Sequence, residues 1–152
     1  MVKEMTQGKN PSDVKILDFG CGTGLVGKYL AQHGFTNITG IDCSPEMMKI
    51  AEEKKCYKSL EEFTLGNPTD FPNKWKNQFD ICVCSGLINN NHLDYKLMEE
   101  MIMATKLNGL LIFAARFSYM GNYWYTFYLN ETEQEKRIKK LKSKDFFKFD
   151  KL

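Results

Sequence analysis

The sequence predicts an α/β fold with a doubly wound, mostly parallel sheet. Three observations carry this. Residues 14–24 read VKILDFGCGTG, an apolar run, three alternate glycines and the start of a helical pattern, which is the order of a buried strand, a tight turn and a helix N-terminus. A second apolar segment ends in an acid at Asp42, about twenty residues past the glycines. Apolar segments then alternate with helical patterns as far as residue 115, and that alternation builds a parallel sheet covered on both faces.

The elements follow in order. The first strand ends at Asp18, and Gly20, Gly22 and Gly24 form the turn. Helix Leu25–His33 is expected to stop at Gly34, a natural residue to follow a helix. Ile38–Asp42 reads as the second strand. Ser44, Pro45 and Glu46 supply an N-cap, a first-turn proline and an early acid, so Met47–Lys54 is expected to be helical. Lys55–Ser59 reads as a short third strand, and residues 65–74 as a turn-rich loop. Phe79–Ser85 is apolar on both faces, as a central parallel strand should be. Tyr95–Lys106 carries Leu97, Met101 and Ala104 at helical spacing and is expected to end at Asn108-Gly109. Leu110–Ala115 is the fifth strand.

The glycine turn points to a ligand. Glycine lets the backbone approach a bound molecule and reach positive φ, and the free N–H groups of the helix start face whatever sits there. Gly22, Gly24 and Gly27 also satisfy a dinucleotide G-x-G-x-x-G. Asp18 argues against that choice, because a carboxylate two residues before the first glycine is poorly placed beneath pyrophosphate. It suits a cationic ligand. Asp42, at the end of the second strand, is placed to accept both hydroxyls of a ribose.

The D-F-G-C-G-T-G run of residues 18–24 resembles motif I of the class I S-adenosylmethionine-dependent methyltransferases. The longer stretch LDFGCGTGLVGKYLAQHGFTNITGIDCSPEMMKIAEEKKCYKSL, with FDICVCSGLINNNHLD and KLNGLLIFAAR, is similar to the methyltransferase-like proteins of the Williams–Beuren syndrome region. The resemblance spans residues 14–116. It implies a Rossmann-like core, S-adenosylmethionine as cofactor, S-adenosylhomocysteine as product and methyl transfer as the reaction. The cofactor-binding residues expected on this basis are Asp18, Gly20, Cys21, Gly22, Gly24, Asp42, Cys43, Met47, Ser85 and Gly86. Met47 is expected against the adenine or in the core. Ser85, Gly86 and Leu87 follow the fourth strand, where the class lines its methyl-transfer channel. In the adjoining polar loop, His92 is the candidate general base; in-line methyl transfer also proceeds by alignment of the acceptor alone.

Composition bounds the rest. The chain has 152 residues, is 43% hydrophobic and carries a net charge of +2, which fits one globular domain without a strong nucleic-acid field. The cofactor half is expected over residues 14–90 and the acceptor half over 91–152. No apolar stretch follows a basic start, as a secretory signal would require, and Leu110–Ala115 is too short to span a bilayer. The five cysteines contain no C-x-x-C, which suits a reducing, cytoplasmic compartment. Neither His33 nor His92 is spaced with a cysteine pair, so no zinc site is expected.

The two ends depart from the family pattern. The aromatic run Phe117–Tyr128 is expected to cover the sheet, line an acceptor pocket or meet another protein. Glu131–Lys144 reads as a helix with lysines toward its end. Asp145–Phe149 is expected as the sixth strand, with no seventh. On that reading Leu110–Ala115 has an open edge, which favours a homodimer or a protein partner. A catalytically silent methyltransferase-like subunit is the competing reading of function.

Overall fold

The structure, a computed structural model, describes residues 8–89, 95–117, 121–129 and 138–145, with side chains for 8–87 and 96–114. The strands are β1 (Ile16–Phe19), β2 (Ile38–Asp42), β3 (Ser59–Glu62), β4 (Phe79–Asn89), β5 (Thr105–Phe117), β6 (Gly121–Leu129) and β7 (Ile138–Asp145). The helices are α1 (Leu25–Gln32), α2 (Pro45–Glu53) and α3 (Tyr95–Ala104). All seven strands form one sheet in the order β3-β2-β1-β4-β5-β6-β7. The first five are parallel, and β6 and β7 run antiparallel to their neighbours.

Local sequence explains the well-marked boundaries. Gly24 caps α1 in the left-handed conformation, and the His33 and Gly34 N–H groups close its end on the Leu30 and Ala31 carbonyls. Ser44 caps α2 by accepting the Met47 N–H, with Pro45 opening the helix. Strand β1 is buried on both faces, and its side chains divide the core. Leu17 and Phe19 join Leu97, Met98 and Met101 of α3, with Phe71 and Trp75, on one side. Ile16 joins Leu30 of α1 and Phe35 on the other. Helices therefore cover both faces, as a doubly wound sheet requires.

Two buried or half-buried acids hold the frame. At the N-terminal end of β4, Asp80 accepts the Lys15 N–H at 3.0 Å and pairs with Lys9 at 3.1 Å and Lys106 at 3.2 Å. Burial pushes its carboxyl up, but these donors outweigh it and hold the pKa below the usual value. On α3, the fully buried Glu100 accepts the Gly66 N–H at 2.9 and 3.0 Å and the Asn67 N–H at 2.9 Å. It fixes the loop that passes beneath the helix.

Several expected boundaries are corrected. Strand β3 starts at Ser59 rather than Lys55, because the chain before it turns Tyr57 inward under α1. Strand β4 runs on to Asn89, with a register shift between Ser85 and Ile88. Helix α3 ends at Ala104, where Thr105 already pairs with Phe79. The larger correction is at the C-terminal side. Leu110–Phe117 pairs along its length with residues 121–128, so the fifth strand has no open edge. Residues 138–145 form a strand rather than the end of a helix, because pairing with β6 satisfies their backbone. Among the described residues the sheet has seven strands, and of the expected sixth, Asp145–Phe149, only Asp145 lies within them; residues 146–149 lie outside the described set, as do 130–137. Among the described residues, no helix is long and apolar enough to cross a membrane.

Candidate active site

Strand order reverses between β1 and β4, and the crevice outside the carboxyl ends of the strands lies there. Residue Phe19 stands level with Cys84 and with Ile41. The turn after β1, the end of β2 and the end of β4 thus converge on one rim. Gly20, Gly22 and Gly24 take φ values of 64°, 51° and 83°, which L side chains rarely adopt. The turn is held by Cys21 N–H to the Ile41 carbonyl at 3.0 Å and Gly24 N–H to the Cys21 carbonyl at 2.8 Å.

Asp42 ties this turn to the next loop. Its Oδ2 accepts the Gly22 N–H at 2.8 Å and its Oδ1 accepts the Ser44 N–H at 2.9 Å. A carboxylate offers about four lone-pair directions, so two remain once these bonds are made. Asp42 is 8% exposed, at the rim.

Asp18 lies deeper, on the α1 side of β1, at 1% exposure. Its Oδ2 accepts the Tyr57 hydroxyl at 2.7 Å, while Oδ1 has no hydrogen-bond partner among the described residues. Burial pushes the Asp18 carboxyl up to about 7, the Tyr57 hydroxyl pulls it back, and the charge of Asp42 adds to the rise. The two acids place negative charge beneath and beside the glycine turn.

The other expected residues are distributed around this centre. Cys21 turns its thiol inward, against the face of Gly40, where burial and the two acids push it up to about 12. Its contribution to the rim is its backbone. Cys43 is exposed next to Asp42. Met47 is half exposed, its sulfur 3.8 Å from where a Cβ on Gly22 would stand. Ser85 pairs with Ala114, and Gly86 and Leu87 occupy the register shift that follows. That irregularity brings Leu87 over the turn. A Cβ on Gly20 would lie 2.5 Å from Leu87 Cδ1, so Gly20 is small because Leu87 is close. His92 lies outside the described residues.

Tyr57 is the residue that sequence reasoning missed. Its hydroxyl accepts the Gly27 N–H at 3.1 Å while donating to Asp18. Its ring fills space left by three glycines: a Cβ would lie 2.2 Å from it at Gly27, 2.9 Å at Gly40 and 3.1 Å at Gly24. The signal was present in the sequence. Glycine inside a helix costs about 1 kcal/mol against alanine, and glycine weakens a strand interior. Gly27 and Gly40 in those positions announce that another side chain needs the room.

Comparison with known proteins agrees with this geometry. The family model described as a methyltransferase domain matches residues 17–113. Mouse EEF1A lysine methyltransferase 2 is 35% identical over 88 residues, 57% of this chain and 36% of that protein. Human methyltransferase-like protein 27 is 33% identical over 107 residues, 70% of this chain and 42% of that protein. The chain thus spans less than half the length of these curated relatives. An S-adenosylmethionine-dependent methyltransferase structure from Mesorhizobium loti has the same fold, with a TM-score of 0.59 at 20% identity over 76% of this chain and 51% of that one.

Proposed function

The chain belongs to the methyltransferase-domain family, whose cofactor is S-adenosylmethionine, and from that premise we propose that it binds this cofactor at the glycine turn and transfers the methyl group to a protein amine. The observation that carries the reading is Asp42, a rim carboxylate locked by two backbone N–H groups beside three positive-φ glycines. The cofactor supplies a methyl group activated on a cationic sulfur. Asp42 offers its two free lone-pair directions to the ribose hydroxyls. Gly22 leaves open backbone for close approach, since a Cβ there would meet only Met47 Sδ and the Gly20 carbonyl. Asp18, with a buried oxygen that has no partner among the described residues, supplies a negative field that favours a sulfonium and an ammonium over pyrophosphate. These features fit the cofactor.

Methyl transfer asks for alignment more than for acid–base chemistry, and well-oriented reactants gain about 7–11 kcal/mol from positioning. The acceptor class is supported by relatives named for methylating a lysine of EEF1A and ribosomal protein L11. Incubation with S-adenosylmethionine carrying a tritiated methyl group, together with a lysine-containing protein fraction, tests both parts. Label is expected in acid-stable protein methylamines. Label in small molecules or nucleic acid instead would overturn the acceptor class. Failure to bind or consume the cofactor would overturn the whole reading.

A further inference from the structure

We propose that Tyr57 is a positioning residue of the cofactor site, joining the first turn of α1 to Asp18 so that the glycine turn and its acid are held as one unit. The inference rests on the assignment of Asp18 to the cofactor's cationic end.

The geometry leaves Tyr57 little freedom. Its ring is hemmed at one edge by Gly24, at the other by Gly40 and at the tip by Gly27. The hydroxyl is used in both directions, accepting from Gly27 and donating to Asp18. Gly27 lies within the first turn of α1, where an N–H has no partner inside the helix. One phenol therefore closes both a helix end 30 residues before it and an acid 39 residues before it. A phenylalanine would fill the same space and close neither.

The bond also selects a state of Asp18. An ionised carboxylate accepts the Tyr57 hydrogen, and the phenol stays protonated because burial and the charge of Asp18 push it up. The other titratable groups around Asp18 are Asp42 on β2, Cys21 in the turn, Cys56 before β3 and Cys84 on β4. Burial pushes the Cys21 and Cys84 thiols up to about 12 and raises Cys56 as well, so these three stay neutral near pH 7. Asp18 itself sits at about 7 and changes charge in that range. Loss of the hydroxyl moves its midpoint upward, by about one pH unit for a hydrogen bond to a charged group.

The test is calorimetric affinity for S-adenosylmethionine between pH 6 and pH 9, for wild type, Tyr57→Phe and Asp18→Asn. Wild-type affinity is expected to fall below about pH 7. Tyr57→Phe is expected to bind about fivefold more weakly at pH 7 and within about twofold of wild type at pH 9, which a one-unit change in midpoint produces. A merely structural tyrosine would weaken binding by the same factor at every pH, and that result overturns the proposal. So does an unchanged curve, while a large loss in Asp18→Asn beside it leaves the role of Asp18 standing. A pH-independent wild type matched by Asp18→Asn removes the role of Asp18 and this inference with it. Tyr57→3-fluorotyrosine keeps the ring and strengthens the donor, in case Tyr57→Phe does not fold. Its midpoint is expected below that of wild type, and carboxyl-carbon NMR of the ligand-free protein reads the same displacement without any cofactor. A midpoint equal to or above that of wild type by either method overturns the proposal.

Discussion

Replacing Gly27 with alanine is expected to destabilise the protein, against the preference of a helix. Gly27 lies inside α1, and helix propensity alone favours alanine there by about 1 kcal/mol. The new methyl group would stand 2.2 Å from Tyr57 Cζ and 2.5 Å from its hydroxyl oxygen. The ring cannot slide aside easily, because Gly24 and Gly40 border its two edges. If the ring holds, the overpacking costs about 1–3 kcal/mol. If it leaves, the bond to Asp18 is lost, at about 1.5–3 kcal/mol, and the bond from Gly27 adds about 1 kcal/mol. Setting the helix gain of about 1 kcal/mol against these, the net loss is up to about 2 kcal/mol if the ring holds and about 1.5–3 kcal/mol if it leaves. Urea denaturation reads this as a lower midpoint at unchanged slope. In a Tyr57→Leu background the obstacle is gone, so the same substitution is expected to cost little, with a coupling of about 2 kcal/mol between the sites. Gly27→Ala as stable as wild type, or equal costs in both backgrounds, would refute the interlock.

Two further perturbations probe the buried acids. The Asp18 carboxyl rises from 3.8 unfolded to about 7 folded, so the folded chain holds a proton that the unfolded chain has released across that window. Stability is therefore expected to fall as pH rises from about 4 to about 7, by up to about 4 kcal/mol, and Asp18→Asn should flatten the slope in calorimetric melting; an equal slope in both proteins would contradict it. Glu100→Ala removes the acceptor of three backbone bonds and is expected to cost about 2–4 kcal/mol, with Glu100→Gln milder and the Gly66 and Asn67 amides exchanging faster in both. Unchanged protection of those amides would show that Glu100 does not hold the loop.

What the sequence makes legible is the part specified by local chemistry. Gly20, Gly22 and Gly24 announce positive φ because a residue without Cβ adopts it at no steric cost. Ser44 and Pro45 mark a helix start through one side-chain oxygen and one fixed φ. Asp42 stands out because a polar residue ends an apolar strand. The missed features depend on distant partners. Tyr57 reads as one residue of the short strand expected over Lys55–Ser59, and only the packing of α1 against β2 reveals why it turns inward. Glu100 reads as one acid on an amphipathic helix, yet it is fully buried because the Gly66 and Asn67 N–H groups surround it. The lysine-rich IKKLKSKD of β7 carries a pattern that a solvated helix face would also show. Its pairing with β6 decides the conformation, and a local window does not contain that pairing.

The central claim is that the carboxylate at the end of β2 holds the cofactor at the glycine turn. Titration calorimetry of the purified chain with S-adenosylmethionine, for wild type and Asp42→Ala, tests it most directly. Wild type is expected to bind one equivalent with a micromolar dissociation constant, and Asp42→Ala, shown by circular dichroism to be folded, to bind about 1.5–3 kcal/mol more weakly. No heat from the wild-type titration, or equal affinity in the variant, would contradict the claim.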